Sequence, residues 1–184
     1  MGLFEESIRW KIISFFFANY GHEQYVREIA RRMGISPGSA SRVCRELQKA
    51  GILKATKKGN AIFYSPDGTN LLVRRFKTDW FLERLLAHKR LWEDEEIQSV
   101  ALYGSYASGE YDEKSDVDLL IITNIDEGKV RKMLGPLRRK LGVEVSLTIL
   151  TLATWLGLGK KRDRFYTEVL SNHLLLFGSP LVVG

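Results

Sequence analysis

Two short apolar segments that flank a polar connection constrain the fold of this chain more than any other part of its sequence. Residues 99–103 are largely apolar, and residues 117–123 are rich in leucine and β-branched side chains. Segments of this length and composition are typical of strands buried in a sheet. The polar residues 106–115 between them are therefore predicted to form a surface element.

Asp116 and Asp118 stand at the start of the second apolar segment. On a strand, side chains two residues apart leave the same face with Cα atoms about 6 to 7 Å apart, so the two carboxylates converge. If their charges came within about 4 Å, the repulsion would be on the order of 4 kcal/mol at an effective dielectric constant near 20. A divalent cation would relieve it, and oxygen ligands favour Mg²⁺ or Mn²⁺. The alternative interpretation of an isolated aspartate pair is a solvated strand edge.

Gly104 and Ser105 stand at the end of the first apolar segment. Glycine allows a sharp turn or a close approach of the backbone to a ligand, and the amides that follow it, with the serine hydroxyl, can receive a phosphate group. A glycine-serine pair alone is typical of any turn. Beside two carboxylates it predicts a nucleoside triphosphate site, because Mg²⁺ takes its remaining ligands from substrate phosphates.

Glu144 is the candidate for a third acid. It lies in residues 142–149, whose alternating pattern predicts a strand with Glu144, Ser146 and Thr148 on one face. A third carboxylate would complete a metal site or take the proton from an attacking hydroxyl. The alternative is an ordinary solvent-facing glutamate on an edge strand.

At these positions the chain resembles the polymerase-beta-type nucleotidyltransferase superfamily, in its minimal nucleotidyltransferase branch. Gly104, Ser105, Asp116, Asp118 and Glu144 match the glycine-serine, paired-acid and third-acid positions, and the resemblance covers about residues 95–177. It implies a mixed α/β sheet, a nucleoside triphosphate with Mg²⁺, and transfer of a nucleoside monophosphate with release of pyrophosphate. It also implies a helical partner protein as a possible acceptor.

Ser108 is a departure from that family pattern. Many relatives carry an arginine four residues after the motif glycine, near the phosphates, where this chain has serine. The departure leaves two interpretations open, an active transferase and a transferase-like domain without turnover.

Charge is distributed unevenly along the chain. Residues 1–92 contain 17 Lys and Arg against 8 Asp and Glu, a net charge of +9, whereas residues 93–184 contain 11 against 14, a net charge of −3. Such asymmetry indicates a half that faces nucleic acid, joined to a half with another task.

The basic half has the pattern of a helix-turn-helix. Residues 3–20 and 23–33 have helical periodicity, Ser36-Pro37 suits the start of a helix, and a third helix is predicted over residues 37–50. On the third helix a basic stripe lies opposite the apolar one, with two serines near its start. A solvated amphipathic helix is the alternative explanation of the stripe, which consists of Arg42, Arg45 and Lys49, with Ser39 and Ser41 nearby.

Two short predicted strands, residues 52–55 and 61–65, enclose a basic hairpin tip with Lys57 and Lys58. Helix, helix, basic helix and basic hairpin resemble a winged helix-turn-helix domain over about residues 3–66. The resemblance implies DNA contacts from these basic side chains, namely Arg42, Arg45, Lys49, Lys57 and Lys58.

The predicted fold class is α+β, with three parts. Residues 1–68 form a winged helix-turn-helix of three helices and a β-hairpin wing, residues 69–94 a long connecting helix, and residues 95–184 a mixed-sheet α/β nucleotidyltransferase domain. The apolar stripe of the connecting helix either forms a homodimer or packs against the transferase domain.

The composition of the chain bears on where the protein is located and whether it contains disulfides or membrane spans. One cysteine, Cys44, excludes an intrachain disulfide and is typical of a reducing cytoplasm. No apolar run reaches the roughly 18 residues of a membrane span, and Glu5 and Glu6 stand where a secretory leader would be basic. We therefore expect a cytoplasmic protein without a membrane partner. It is either a metal-dependent nucleotidyltransferase coupled to DNA binding or a DNA-binding transcriptional regulator with a nucleotide-sensing domain.

Overall fold

The computed structural model describes residues 7–181 and divides the chain into two compact units, Met1–Trp80 and Phe81–Gly184. Each unit contains its own sheet. Within residues 7–181, no helix combines the length and the apolar character that crossing a bilayer requires.

The first unit is a winged helix, as the sequence predicts. Its three-stranded antiparallel sheet has the order β1-β3-β2. Its apolar core joins the helices to the wing through fully buried side chains such as Ile12, Phe16 and Ile29. The elements are α1 (Ile8–Ala18), β1 (Gln24–Tyr25), α2 (Val26–Met33), α3 (Pro37–Lys49), β2 (Leu53–Lys58) and β3 (Ala61–Pro66).

The start of the second helix differs from the prediction. The sequence predicted one helix over residues 23–33, but Gln24–Tyr25 is a strand and α2 begins at Val26. The strand pairs with β3, and the ring of Tyr25 lies 5.5 Å from that of Phe63. Pairing with a distant segment thus outweighs the local helical periodicity. The predicted start of the first helix, residues 3–6, lies outside the described residues.

The wing is longer than predicted. Residues 56–58, predicted as part of the hairpin tip, continue β2, with Lys58 paired to Ala61. The turn is therefore confined to Gly59 and Asn60. Gly59 adopts a positive φ of 58°, which glycine reaches without strain and which tight hairpin turns require.

Helix α3 follows the prediction closely. Ser36 caps it by accepting a hydrogen bond from the Ser39 amide, and Pro37 occupies its first turn. Its apolar face is buried, and it includes Cys44. Burial raises the pKa of the Cys44 thiol to about 12, so this side chain is a core residue and not a nucleophile at neutral pH.

The connecting helix is shorter than the predicted range of residues 69–94. Helix α4 (Leu71–Leu86) is followed by a 3₁₀ turn at Lys89–Leu91. At its end the bonding tightens, because the His88 amide donates to the Leu85 carbonyl, three residues back. The division between the two units falls inside α4, between Trp80 and Phe81.

The second unit is built on a mixed four-stranded sheet, as predicted, with the order β6-β5-β4-β7. Only the β5–β6 pair is parallel among the strand pairs within residues 7–181. One face of the sheet packs on Trp155, whose indole N–H donates to the Leu181 carbonyl. The elements are β4 (Ile97–Tyr103), α5 (Gly104–Ser108), β5 (Val117–Thr123), α6 (Glu127–Leu134), α7 (Pro136–Leu141), β6 (Val145–Leu150), α8 (Leu152–Lys160), α9 (Arg164–Ser171) and β7 (His173–Gly178).

Strand β6 starts later than the sequence predicted. The expected strand began at Gly142, but Gly142 ends α7 with a positive φ of 73°, and β6 begins at Val145. Glu144 therefore lies in the connection just before the strand. The end of α7 and the connection after it take up residues 142–144, although the alternating pattern of the sequence continued through them.

Candidate functional site

Gly104 directly follows β4, and its backbone lies against Asp118. It has a φ of 69°, and a Cβ atom at this position would lie 2.6 Å from Asp118 Oδ2. A side chain here would force the Asp118 carboxylate or the turn to shift, and the positive φ also favours glycine. The Asn172 side-chain amide donates to the Gly104 carbonyl at 3.2 Å, which fixes the orientation of this peptide.

Helix α5 is a single short turn that begins at the glycine-serine pair. Ser105 is therefore in the position predicted from the sequence. The hydroxyl of Ser108 donates to the Ser105 carbonyl at 3.1 Å, so this residue makes a local backbone contact where many relatives have an arginine.

The two aspartates are close in space. Asp118 lies in β5 between Tyr103 of β4 and Ser146 of β6, and Asp116 precedes the strand by one residue. Burial raises the pKa of the Asp118 carboxyl, and the negative charge of Asp116 raises it further. Two neighbouring carboxylates, one of them partly buried, form an oxygen donor set that suits Mg²⁺ or Mn²⁺.

A hydrogen bond between two polar side chains lies on the face of the sheet next to Asp118. The Tyr103 hydroxyl and the Thr148 hydroxyl are 3.0 Å apart. Burial raises the pKa of Tyr103, the bond to Thr148 opposes this, and the charge of Asp118 contributes to the increase. This tyrosine therefore stays neutral near pH 7 and places a hydroxyl group beside the carboxylates.

Glu144 lies just before β6, and its backbone is bonded to the start of β5. The Val117 amide donates to the Glu144 carbonyl at 2.9 Å, which places Glu144 next to Asp116 across the parallel pair. The Glu144 carboxylate forms an ion pair with Arg138 of α7, and both side chains are more than half exposed. Within residues 7–181, no three carboxylate, histidine or cysteine side chains converge into a complete metal-binding set.

Asp116 and Glu144 nevertheless line one cleft, with a volume of about 490 Å³. Its walls also carry three cations, Lys114, Arg138 and Arg139, and one further acid, Glu113. Sequence reasoning missed the two arginines, although the basic run at residues 138–140 was a visible signal. It also missed Asn172, for which the sequence offers no comparable signal.

The basic stripe of the winged helix lies at the surface of α3. Arg42, Arg45 and Lys49 are exposed. Arg42 lies 3.9 Å from the Glu46 carboxylate, and the Arg45 guanidinium makes a long bond to the Ser41 carbonyl. Of the two predicted contact serines, Ser39 accepts a hydrogen bond from the Ser36 hydroxyl at the start of the helix, and Ser41 is half-buried.

The two wing lysines have different surroundings. Lys57 is exposed on β2. The Lys58 ammonium lies 2.5 Å from the Glu23 carboxylate and 5.2 Å above the Phe63 ring. The hydrogen bond from Lys58 holds the pKa of Glu23 below its usual range. Lys58 therefore has an internal counter-charge that a DNA phosphate would have to replace.

Two family models match the chain. A model described as "Nucleotidyltransferase domain" matches residues 82–171, and one described as "MarR family" matches residues 15–59.

Two curated relatives match part of the chain. The chain is similar to "Putative protein adenylyltransferase MJ0604" of Methanocaldococcus jannaschii, with 38% identity over 53 residues that cover 29% of this chain and 53% of that protein. It is similar to "Putative protein adenylyltransferase MJ1379" of the same organism, with 35% identity over 72 residues that cover 35% of this chain and 70% of that protein. The chain thus spans only about half the length of the first of these relatives.

Among solved structures, a transcriptional regulator (MarR family) from Rhodococcus sp. RHA1 covers 75% of this chain and 76% of its own, with 16% sequence identity and a TM-score of 0.37. A likeness at this level adds nothing to the assignment.

Proposed function

Because the chain belongs to the nucleotidyltransferase domain family and carries a MarR-family winged helix ahead of that domain, we propose that it transfers a nucleoside monophosphate from a nucleoside triphosphate to an acceptor hydroxyl. The observation that carries the proposal is the close approach of the Gly104 backbone to Asp118, where an added Cβ atom would lie 2.6 Å from Oδ2, because it sets the glycine-serine turn beside the paired carboxylates.

The residues at this turn divide the chemistry among them. The amides and hydroxyl of Gly104-Ser105 bind the phosphates. Asp116 and Asp118 are the residues that would hold Mg²⁺ or Mn²⁺, and such an ion supplies charge stabilisation at the attacking and leaving oxygens. Glu144 stands two residues before Ser146, the residue paired with Asp118, and we assign it the role of completing the site or of taking the proton of the acceptor hydroxyl.

The names of the relatives bear on the donor and acceptor. Both relatives are named as protein adenylyltransferases. We therefore propose ATP as the donor and a side-chain hydroxyl of a partner protein as the acceptor, with the adenylyl group retained on that protein.

Labelled ATP tests this proposal directly. Incubation of the full chain with Mg²⁺, cell extract and ATP labelled at the α-phosphate is expected to label a protein acceptor, whereas ATP labelled at the γ-phosphate is not, because pyrophosphate leaves. Label from the γ-phosphate would indicate a kinase, and label from neither would contradict transfer.

A second candidate function is a DNA-binding transcriptional regulator whose nucleotidyltransferase domain senses nucleotide without turnover. Two observations favour it. Ser108 supplies no cation to the phosphates, and the basic stripe of α3 is exposed as a recognition helix would be. In this case nucleotide alters DNA affinity and remains chemically intact.

The double variant Arg42→Ala/Arg45→Ala tests the DNA contact. If both guanidiniums meet phosphates, the slope of log affinity against log salt becomes shallower by about 2 and affinity falls by at least about tenfold at low salt. Fluorescence anisotropy with a DNA duplex at several salt concentrations measures both quantities. Arg164→Ala is the matched control, since Arg164 is an exposed, ion-paired arginine of the other unit. Equal behaviour of the two variants, or no DNA binding by the parent chain, would refute the contact.

A further inference from the structure

The cleft between β5 and α7 carries an unassigned recognition element. We propose that this cleft selects protein acceptors whose hydroxyl group is flanked by carboxylate side chains. Arg138 recognises such a carboxylate by exchanging its ion pair with Glu144 for one with the substrate. The proposal rests on the proposed transfer and specifies its acceptor. It makes Arg138 a positioning residue and assigns the cleft to the acceptor segment.

The sheet order determines where the acceptor enters. Strand β5, with Asp116 just before it and Asp118 at its start, lies between β4, which Gly104 follows, and β6, which Glu144 precedes. Gly104 and Glu144 therefore flank the aspartates from opposite sides. In phosphoryl transfer the attacking and leaving oxygens lie roughly in line across the phosphorus. With the phosphates at Gly104-Ser105, the acceptor hydroxyl arrives from the side of Glu144, which is the cleft.

The charge of this side differs from the rest of the unit. Residues 93–184 carry a net charge of −3, yet residues 127–141, which include α6 and α7, contain six Lys and Arg against one Asp or Glu. Lys114, Arg138 and Arg139 extend this charge into the cleft. Cations at the entry of an acceptor favour an acceptor that carries negative charge.

The ion pair of Arg138 and Glu144 is suited to exchange. Both side chains are more than half exposed, at 66% and 56%, so the pair contributes little stability. A substrate carboxylate can replace Glu144 on the guanidinium, which binds carboxylates through two parallel hydrogen bonds. Glu144 is then free to act on the hydroxyl.

The released carboxylate completes a balanced step. The acceptor oxygen attacks the α-phosphorus and forms the new P–O bond, while the bond from that phosphorus to the pyrophosphate oxygen breaks. The hydroxyl proton passes to Glu144 and then to solvent, and pyrophosphate carries away the electron pair. An acceptor without a carboxylate leaves Glu144 on Arg138 and reacts more slowly.

The mixed charge of the cleft favours an acidic protein segment over a nucleic-acid strand. Glu113, Asp116 and Glu144 stand among the three cations. A strand carries a phosphate at every nucleotide and would bring some of them against these acids. A peptide presents isolated carboxylates, which can meet one arginine and avoid the acids.

Peptide binding in the absence of nucleotide and metal tests the proposal on the full chain. The probes are short fluorescein-labelled peptides with one central tyrosine, flanked either by glutamates or by glutamines, and binding is read by anisotropy. The glutamate peptide is expected to bind more tightly. Arg138→Gln weakens its binding by about two- to fivefold, the range of an exposed ion pair, and Glu144→Gln tightens it by a similar factor because Arg138 becomes available.

The opposite effects of Arg138→Gln and Glu144→Gln on peptide affinity distinguish charge recognition from a change of fold, which would weaken binding in both variants. Arg164→Gln is the matched control, since Arg164 is an exposed arginine paired with Glu168 and lies outside both residues 127–141 and the cleft, and it leaves binding unchanged. Equal affinity for the two peptides, a loss of affinity in Glu144→Gln, or stronger binding of a single-stranded oligonucleotide that Arg138→Gln weakens would overturn the proposal. Arginine-dependent binding without adenylyl transfer would refute the transfer and leave the peptide-binding assignment intact.

Discussion

We expect Asp118→Asn to abolish nucleotide transfer and at the same time to raise the free energy of unfolding of the metal-free protein at neutral pH. The pKa of Asp118 is raised by burial first and by the charge of Asp116 second. A carboxyl whose pKa is higher in the folded than in the unfolded state stabilises the fold below its unfolded pKa, and this stabilisation is lost as the pH rises through its folded pKa. At neutral pH the charge of Asp118 therefore lowers the free energy of unfolding, and asparagine removes this effect.

Transfer by Asp118→Asn is expected to fall by about a thousandfold or more, since removal of a charged group that stabilises the transition state costs several kcal/mol at about 1.4 kcal/mol per tenfold. Asp116→Asn produces a similar loss. Denaturant unfolding between pH 4 and 8 should show the stability gap between parent and Asp118→Asn narrowing towards acid.

Glu168→Gln is the control, because Glu168 is an exposed acid paired with Arg164. Its transfer rate and stability should follow those of the parent. More than a tenth of the parent rate in Asp118→Asn, or a gap in stability that does not change with pH, would contradict the role of this carboxylate.

Gly104→Ala is expected to lower transfer by about a hundredfold, the effect of a displacement of about 1 Å at a reacting centre. The new methyl group would lie 2.6 Å from Asp118 Oδ2, so either the carboxylate or the turn must move. The positive φ adds a backbone strain of about 1 to 2 kcal/mol. Transfer rate, ATP affinity and melting temperature together describe the outcome.

Gly34→Ala is the control that separates the effect of backbone strain from the effect of displacing Asp118 or the turn. Gly34 has a similar φ of 64°, and a Cβ atom there would meet nothing within 4 Å. This variant should lose a comparable part of the stability and keep its transfer rate. Equal transfer rates in Gly104→Ala and the parent would show that the turn does not define the site.

Local patterns predicted the parts of this protein that local interactions determine. The strands around the polar connection and the start of α3 at Ser36-Pro37 follow from short segments of sequence, whereas the mixed sheet was expected only from the family resemblance. Each of these local elements carries its own signal, either an apolar run or a capping residue. The position of Asp118 in β5, and that of Gly104 directly after β4, follow from the same signals.

The remainder depends on residues that are distant in sequence. Strand β1 exists because Gln24 and Tyr25 pair with β3. Asn172 reaches Gly104 across 68 positions, and Glu144 is bound by an arginine of the preceding helix. The end of α4 at Leu86 carries no glycine or proline, so periodicity alone could not locate it.

The place of β7 in the sheet affects how the chain matures during synthesis. The winged-helix sheet is complete when residue 66 has emerged, but β4 keeps one open edge until His173–Gly178 pairs with it. Until then the nascent chain lacks the Asn172 anchor and exposes a row of unpaired amides, which invites pairing with other chains. A ribosome that stalls before this last strand thus releases a product with a finished winged helix and an unfinished nucleotide site.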